Sequence, residues 1–241
     1  MAFDFKRICD FPEVQNDFEN SLFLTFDIDW ANDDVLNYCI DILEVNSVKA
    51  TFFVTHETPV LERLRKSDLF ELGIHPNFNF LLNGDYRYGK DYKEVIDYYL
   101  SMVLDAVSVR SHSLTQNGPI VDEFIRRGLV YDVNLFLMYL SEIELKPIPY
   151  YKEGFTRLPY FWEDDTYILY NQKVEVPNLV SKPGLKIFDF HPIHVFLNSA
   201  NLNNYERARP YLQETNELVR FKNRDCFGTF DFLIRLININ K

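Results

Sequence analysis

The chain has 241 residues, 47% of them hydrophobic, with 22 Phe and 15 Tyr, which is ample for one large core and excludes a disordered chain. Its formal charge of −11 argues against nucleic acid or an anionic membrane surface as partner, because both require a cationic footprint. A polyanionic substrate held in a locally basic cleft is not excluded by that figure.

Cys9, Cys39 and Cys226 are widely spaced and odd in number, with no CxxC pair, which predicts reduced thiols in a cytoplasmic protein. The first residues, MAFDFKRICDFPEVQND, contain no apolar segment of the signal-peptide kind. No apolar run approaches the ~20 residues that a membrane span needs.

In chain order, SLFLTF (21–26) is a continuous apolar and β-branched run that suits a strand buried on both faces. A helix follows, capped by Asn32 or Asp33, with Val35, Tyr38, Cys39, Ile42 and Leu43 on one side. KATFFVT (49–55) is a second buried strand, followed by a short helix with Leu61 and Leu64 on one face. LFELGIH (69–75) is a third strand, ending at His75. Residues 76–89, rich in Asn and Gly, predict a long loop. Residues 91–105 predict a helix and AVSVR (106–110) a short strand. A helix opens at Gly118-Pro119 and stops at Gly128, and LVYDVN (129–134) is a fifth strand candidate. Residues 141–184 predict loop and short strands, with a hairpin near 166–176. LKIFDFH (185–191) is a late strand, followed by a broken helical region at 204–220 and a last amphipathic helix with Phe230, Leu233, Ile234 and Ile237. Neither linker nor repeat divides the chain, so residues 1–241 are expected to form one domain. Alternating β and α units predict a mainly parallel sheet, as a barrel or an open doubly wound sheet.

In parallel β/α folds ligands sit beyond the carboxyl ends of the strands. Those positions hold Asp27 and Asp29, then His56, then His75, Asn77 and Asn79, then Arg110 and His112, and finally His191 and His194. All five histidines of the chain fall there. Asp27 and Asp29 alternate, so both carboxylates can face one side, one holding a metal and the other free as a base. An Asp-x-Asp tripeptide also holds a metal-bound nucleotide sugar in many glycosyltransferases, and the tripeptide alone fits either use.

TFDID (25–29), KATFFVT (49–55), ELGIHPNFN (71–79), VRSHS (109–113), LPYFWEDD (158–165) and IFDFHPIH (187–194) occur in this order. Together, over residues 20–197, they resemble the motifs of the polysaccharide deacetylases, the NodB-homology group of carbohydrate esterase family four. The likeness is to a divergent branch linked to surface-polysaccharide biosynthesis. The resemblance implies an irregular parallel (β/α) barrel of about seven strands. It implies Asp27 as base, Arg110 as the group orienting it, and His191 as the acid that protonates the leaving group. It implies a divalent metal, zinc by family habit, on Asp29 and His75, with Asn79 where the family has a second His. An amide oxygen is a weaker zinc ligand than imidazole, so low occupancy is expected. The family's fourth motif's Trp and acid resemble Trp162 with Asp164 or Asp165, and His112, Trp162, Asp165, His194 and Asn77 are the expected substrate-facing residues. The implied reaction removes an N-acetyl or N-formyl group from a sugar, with a nucleotide-linked or lipid-linked sugar favoured over a wall polymer. The alternatives are a catalytically degenerate sugar- or partner-binding member of the same fold, and the metal-dependent glycosyltransferase.

Overall fold

A computed structural model describes residues 2–139, 142–170 and 174–241. Among them run ten strands: β1 (Asp4–Lys6), β2 (Ser21–Asp27), β3 (Ala50–Val54), β4 (Phe70–Ile74), β5 (Ser108–Val109), β6 (Tyr131–Asp132), β7 (Ile148–Pro149), β8 (Thr156–Arg157), β9 (Trp162–Glu163) and β10 (Lys186–Phe190). Adjacent strands follow the order β7-β8-β6-β5-β4-β3-β2-β10-β9, with β1 beside the first half of β2. Every pairing is parallel except that of β7 with β8.

The sheet curls round on itself. The stretch holding β8 and β9 pairs first with β6 and then with β10, at opposite ends of the order. Backbone bonds from Leu137 and Tyr139 to the carbonyls of Tyr160 and Phe161 extend that closure. The result is the irregular parallel (β/α) barrel that the resemblance implies.

Register decides which side chains reach the interior. Phe26 pairs with Phe52 of β3 and Phe190 of β10, and its ring stacks on theirs at 5.0 and 5.5 Å. Side chains alternate along a strand, so the neighbours Thr25, Asp27 and Asp189 face the opposite side, where Thr25 Oγ1 bonds Asp189 Oδ1 at 2.9 Å. Each stacked pair contributes about 0.5–1.5 kcal/mol beyond burial. A slip by one residue would turn both carboxylates away from the interior.

Local signals explain most helices. Asn32 Oδ1 accepts from Val35 N at 3.0 Å to open Asp33–Val45, and Asp91 caps Tyr92–Met102 in the same way. Gly128, at φ +85°, follows the end of Gly118–Arg126. Three expectations need correction. The short strand β1 was not anticipated, because three residues are too few to show a period. The segment 76–89 is not all loop: Asn79–Leu82 makes one helical turn. The expected hairpin near 166–176 is replaced in its first part by the helix Asp164–Tyr170, which buries Tyr167 and Ile168; residues 171–173 lie outside the described ones. Among the described residues no helix is long and apolar enough to cross a membrane.

Candidate active site

The carboxyl ends of β2, β4, β5 and β10 surround a cleft of about 250 Å³, lined in part by Asp27, Asp29, His75, His112, Asp165 and His191. Arg110, the residue after β5, is completely buried at its floor. Its Nη1 donates to Asp27 Oδ1 and Thr25 Oγ1, at 3.0 and 2.9 Å, and also to Asp189 Oδ1. Phe53 and Tyr160 place their rings 4.7 and 4.4 Å from the guanidinium carbon. Burial pushes the Asp189 carboxyl up, against the pull of Arg110. One permanent cation thus stands between two acids in a dry floor.

Above it lies a cluster of three side chains. Asp29 Oδ1 is 3.4 Å from His75 Nε2 and 3.3 Å from His112 Nδ1. The three groups offer ligand atoms within 4.8 Å of one another. Burial alone would raise the Asp29 carboxyl, but the His112, His75 and His191 imidazoles outweigh it and hold it down at about 2. Burial lowers His75, favouring the neutral ring that a metal ligand must be. Among the described residues Asp29 Oδ1 and His75 Nδ1 are buried without a hydrogen-bond partner, and buried polar atoms left so are few in native proteins and call for an explanation such as an ion. The donor set, one carboxylate and two imidazoles, suits zinc with a position left open. Backbone geometry marks the same place. Asp29, Trp30, Ser113 and Leu114 all have positive φ, at 32°, 57°, 55° and 53°, a conformation that costs on the order of 1–3 kcal/mol per non-glycine residue and clusters at functional sites.

On the opposite wall, Asp164 grips His191. Its Oδ2 accepts from the His191 backbone N–H at 2.8 Å and its Oδ1 lies 2.7 Å from Nδ1. Nε2 faces the cleft, 3.6 Å from Asp29 Oδ2. Burial disfavours the imidazolium, yet the charges of Asp165 and Asp164 outweigh it and raise His191 well above its usual range. His194 lies one layer back: Nε2 meets Asp165 Oδ1 at 2.8 Å and Nδ1 meets Ser199 Oγ at 3.0 Å.

Of the residues singled out from sequence, Asp27, Asp29, His75, His112, Asp165 and His191 line the cleft, with Arg110 beneath it. Asn79 does not join the Asp29 cluster. Its Nδ2 donates to Ser113 Oγ at 3.0 Å. Pro76 keeps His75 extended, so the two residues never share a helical turn, and His112 comes in from the next strand instead. Asn77 accepts from Asn79 N at 2.9 Å and shapes the turn, without lining the cleft. Trp162 is fully buried and stacked on Phe232 at 4.1 Å. It pairs in register with Phe188, on the outward face, and the next residue, Glu163, faces inward to the cleft. His56 lines a separate groove beside Trp30. Asp189 and Glu163 were missed. A charged residue inside the apolar run IFDF was the available signal for Asp189, since a buried charge is costly without a partner.

Residues 24–209 match the WbmS-like polysaccharide deacetylase family, and the chain belongs to that family. It is 40% identical to a Bordetella bronchiseptica protein assigned as a polysaccharide deacetylase involved in O-antigen biosynthesis, with 99% of this chain and 98% of that one covered and a TM-score of 0.92. A 4-alpha-glucanotransferase from Thermococcus litoralis aligns at 13% identity and TM-score 0.48, covering 84% of this chain and 38% of the other. A Mycobacterium smegmatis protein assigned as a polysaccharide deacetylase aligns at 16% and 0.44, covering 90% and 89%. No curated protein matches the chain significantly.

Proposed function

We propose that the protein is a metal-dependent hydrolase that removes an N-acyl group, acetyl or formyl, from a sugar or sugar-linked intermediate in surface-polysaccharide biosynthesis. The observation that carries this reading is the meeting in one cleft of three elements: an Asp29–His75–His112 donor cluster, a carboxylate on Arg110, and a histidine on Asp164. Asp29, His75 and His112 would hold the ion, which when bound polarises the acyl oxygen and acidifies water.

The chain's own groups supply the proton transfers. Asp27 has Oδ1 engaged by Arg110 and Oδ2 left toward His75, 3.6 Å from its Nδ1. It takes the proton from the attacking water, with Arg110 fixing the carboxylate plane. His191, held as imidazolium by Asp164 and Asp165, gives its Nε2 proton to the departing amine. The C–N bond breaks and the products are a free amine and a small carboxylate. The strained Asp29-Trp30 turn sets the Trp30 ring against His112 in a T-shaped contact, 5.2 Å between centroids, which helps to fix that imidazole beside Asp29.

The His112 position also weighs against the catalytically degenerate reading, whose main support was the missing second histidine. The relative from B. bronchiseptica lends the polysaccharide context. Metal content of the purified protein, measured together with acetate and formate release from N-acylated sugars, tests the reading. Full-stoichiometry zinc with release abolished by Asp27→Asn is the expected result. Release that is unchanged in Asp27→Asn and His191→Ala would remove the mechanism.

A further inference from the structure

The acidic chain carries one conspicuously basic groove. It holds about 580 Å³ and its walls include Arg207, Arg220, Lys222, Arg224 and Asn204. Acids outnumber bases by 36 to 25 in the whole chain, yet among the described residues only one of these four cations, Arg220, has an ion-pair partner, Glu217 at 2.5 Å. Asp225 is a single carboxylate on the groove wall.

Two of the cations rest on aromatic rings rather than on carboxylates. Lys222 Nζ lies 3.8 Å from the Phe196 ring centre and 4.0 Å from that of Tyr38. Arg207 lies over Phe221, whose ring stacks on Tyr211. Rings fix a cation in place while leaving its outward N–H groups unspent. Asn204 adds a second, independent sign: its Nδ2 is buried and has no acceptor among the described residues. A donor left in that state costs free energy unless a ligand fills it.

The groove is close to the cleft. Asn204 and Arg207 belong to the helix Leu202–Ala208, and Tyr205 of the same helix packs its ring on His194 at 4.8 Å. His194 in turn holds Asp165 of the cleft wall. Tyr205 and His194 thus connect the helix that carries Asn204 and Arg207 to the cleft wall.

We propose that this groove is an anion-binding site that takes a diphosphate group. Planar guanidinium forks match phosphate oxygens bidentately, and Arg207, Lys222 and Arg224 together balance the two to three charges of a diphosphate better than the single charge of a carboxylate. The proposal rests on the sugar N-deacylase reading only for what the anion is attached to. In that setting the groove selects a diphosphate-linked sugar over a neutral polymer, the diphosphate ester arriving from a nucleotide or a prenyl carrier.

Calorimetric titration of the intact protein with inorganic pyrophosphate, at low ionic strength and without turnover, tests it. Saturable binding is expected, weakened about tenfold or more in Arg207→Ser/Arg224→Ser, two exposed positions whose loss leaves the fold alone. Lys222→Met, which keeps the packing on Phe196, should weaken it as well. Equal affinity in wild type and both variants would place the anion elsewhere, at the cleft ion for example, and overturn the proposal, as would no binding. Uridine diphosphate and a short prenyl diphosphate form the second arm, and the tighter of the two names the carrier. Because binding is read without hydrolysis, a dead deacylase with an intact groove, or the converse, separates this proposal from the functional reading.

Discussion

His112→Ala and Asn79→Ala separate two descriptions of the proposed metal centre. Family spacing points to Asn79 as third ligand, whereas the structure brings His112 to 3.3 Å from Asp29 and sends the Asn79 amide to Ser113. The His75 and His112 rings stand 5.4 Å apart at 78°, so their nitrogens can converge on one point. Removing a partner outside the ligand set costs metal sites ~10- to 100-fold in affinity. Removing one of three protein ligands should cost more, so His112→Ala is expected to lose over about 100-fold, near 2.8 kcal/mol. His112 is partly exposed, so its truncation leaves space that water can enter and little strain in the barrel. Asn79→Ala removes only one hydrogen bond and should keep its zinc. Asn79→His should gain none, because position 79 begins a separate helical turn. Competition with a chromophoric chelator, alongside metal content by mass spectrometry, reads all three. Zinc lost in Asn79→Ala but kept in His112→Ala would refute the assignment.

Arg110→Met leaves Asp27 and Asp189 buried without their cation, and is expected to cost about 3–5 kcal/mol by denaturant unfolding; a loss near zero would mean the acids are neutralised some other way. His191→Ala should lower kcat by ~10²- to 10⁴-fold with zinc content unchanged, while His194→Ala, which reaches the cleft only through Asp165, should cost less. Asp10, gripped by Arg7 at 2.7 Å and by Lys49, is held at about 2, below its ordinary 3.8. The folded value lies below the unfolded one, so this stabilisation, roughly 2 kcal/mol, is present above pH ~4 and lost as pH falls toward 2. Asp10→Asn should flatten that part of the stability curve, and parallel curves for the two proteins would contradict it. Chelation should lower Tm by roughly 5–10 °C, the effect of removing an ion present at ~100 times its Kd from a domain of this size; a Tm indifferent to both chelator and added zinc would count against the metal centre.

The strands that build the barrel centre were legible because SLFLTF, ATFFV and KIFDF are covered on both faces and therefore read as largely apolar runs, broken in the last by Lys186 and Asp189. The strand ends then pointed to Asp27, His75, Arg110 and His191 without any coordinates. What sequence could not give was the path of the chain between strands. Asn79 follows His75 at helical spacing, but Pro76 forbids the turn that spacing assumes, and only the curl of the sheet brings His112 across from the end of β5. Trp162 was misplaced for a simpler reason. It lies one residue before an inward Glu163, and the period of two along a short strand forces it outward, onto Phe232. The helix Asp164–Tyr170 replaced an expected hairpin because its buried face, Tyr167 and Ile168, is too short to show a helical period.

Charge balance explains why so many acids gather where burial makes them costly. Asp27, Asp29, Asp189, Glu163 and Asp165 line one cleft, with Asp164 behind His191, and among the described residues the one permanent cation they meet there is Arg110. Two devices reduce the excess from within. Burial pushes Glu163 and Asp189 toward their protonated forms, and Asp164 with Asp165 draws a proton onto His191. Neither device neutralises Asp29, where the imidazoles outweigh burial and hold the carboxylate in its charged form. A divalent cation beside Asp29 would meet the charge that remains. The acids themselves differ by neighbour: Asp27 is turned to Arg110, Asp29 to His75 and His112, and Asp164 to His191. One sequence element, Asp-Ile-Asp, thus places two carboxylates 2 residues apart into two environments. One environment offers a fixed guanidinium and a carboxylate oxygen left free of it, the other two imidazole nitrogens within reach of one ion. That division of labour is what a base and a metal ligand require, and it follows from which strand end stands opposite each acid.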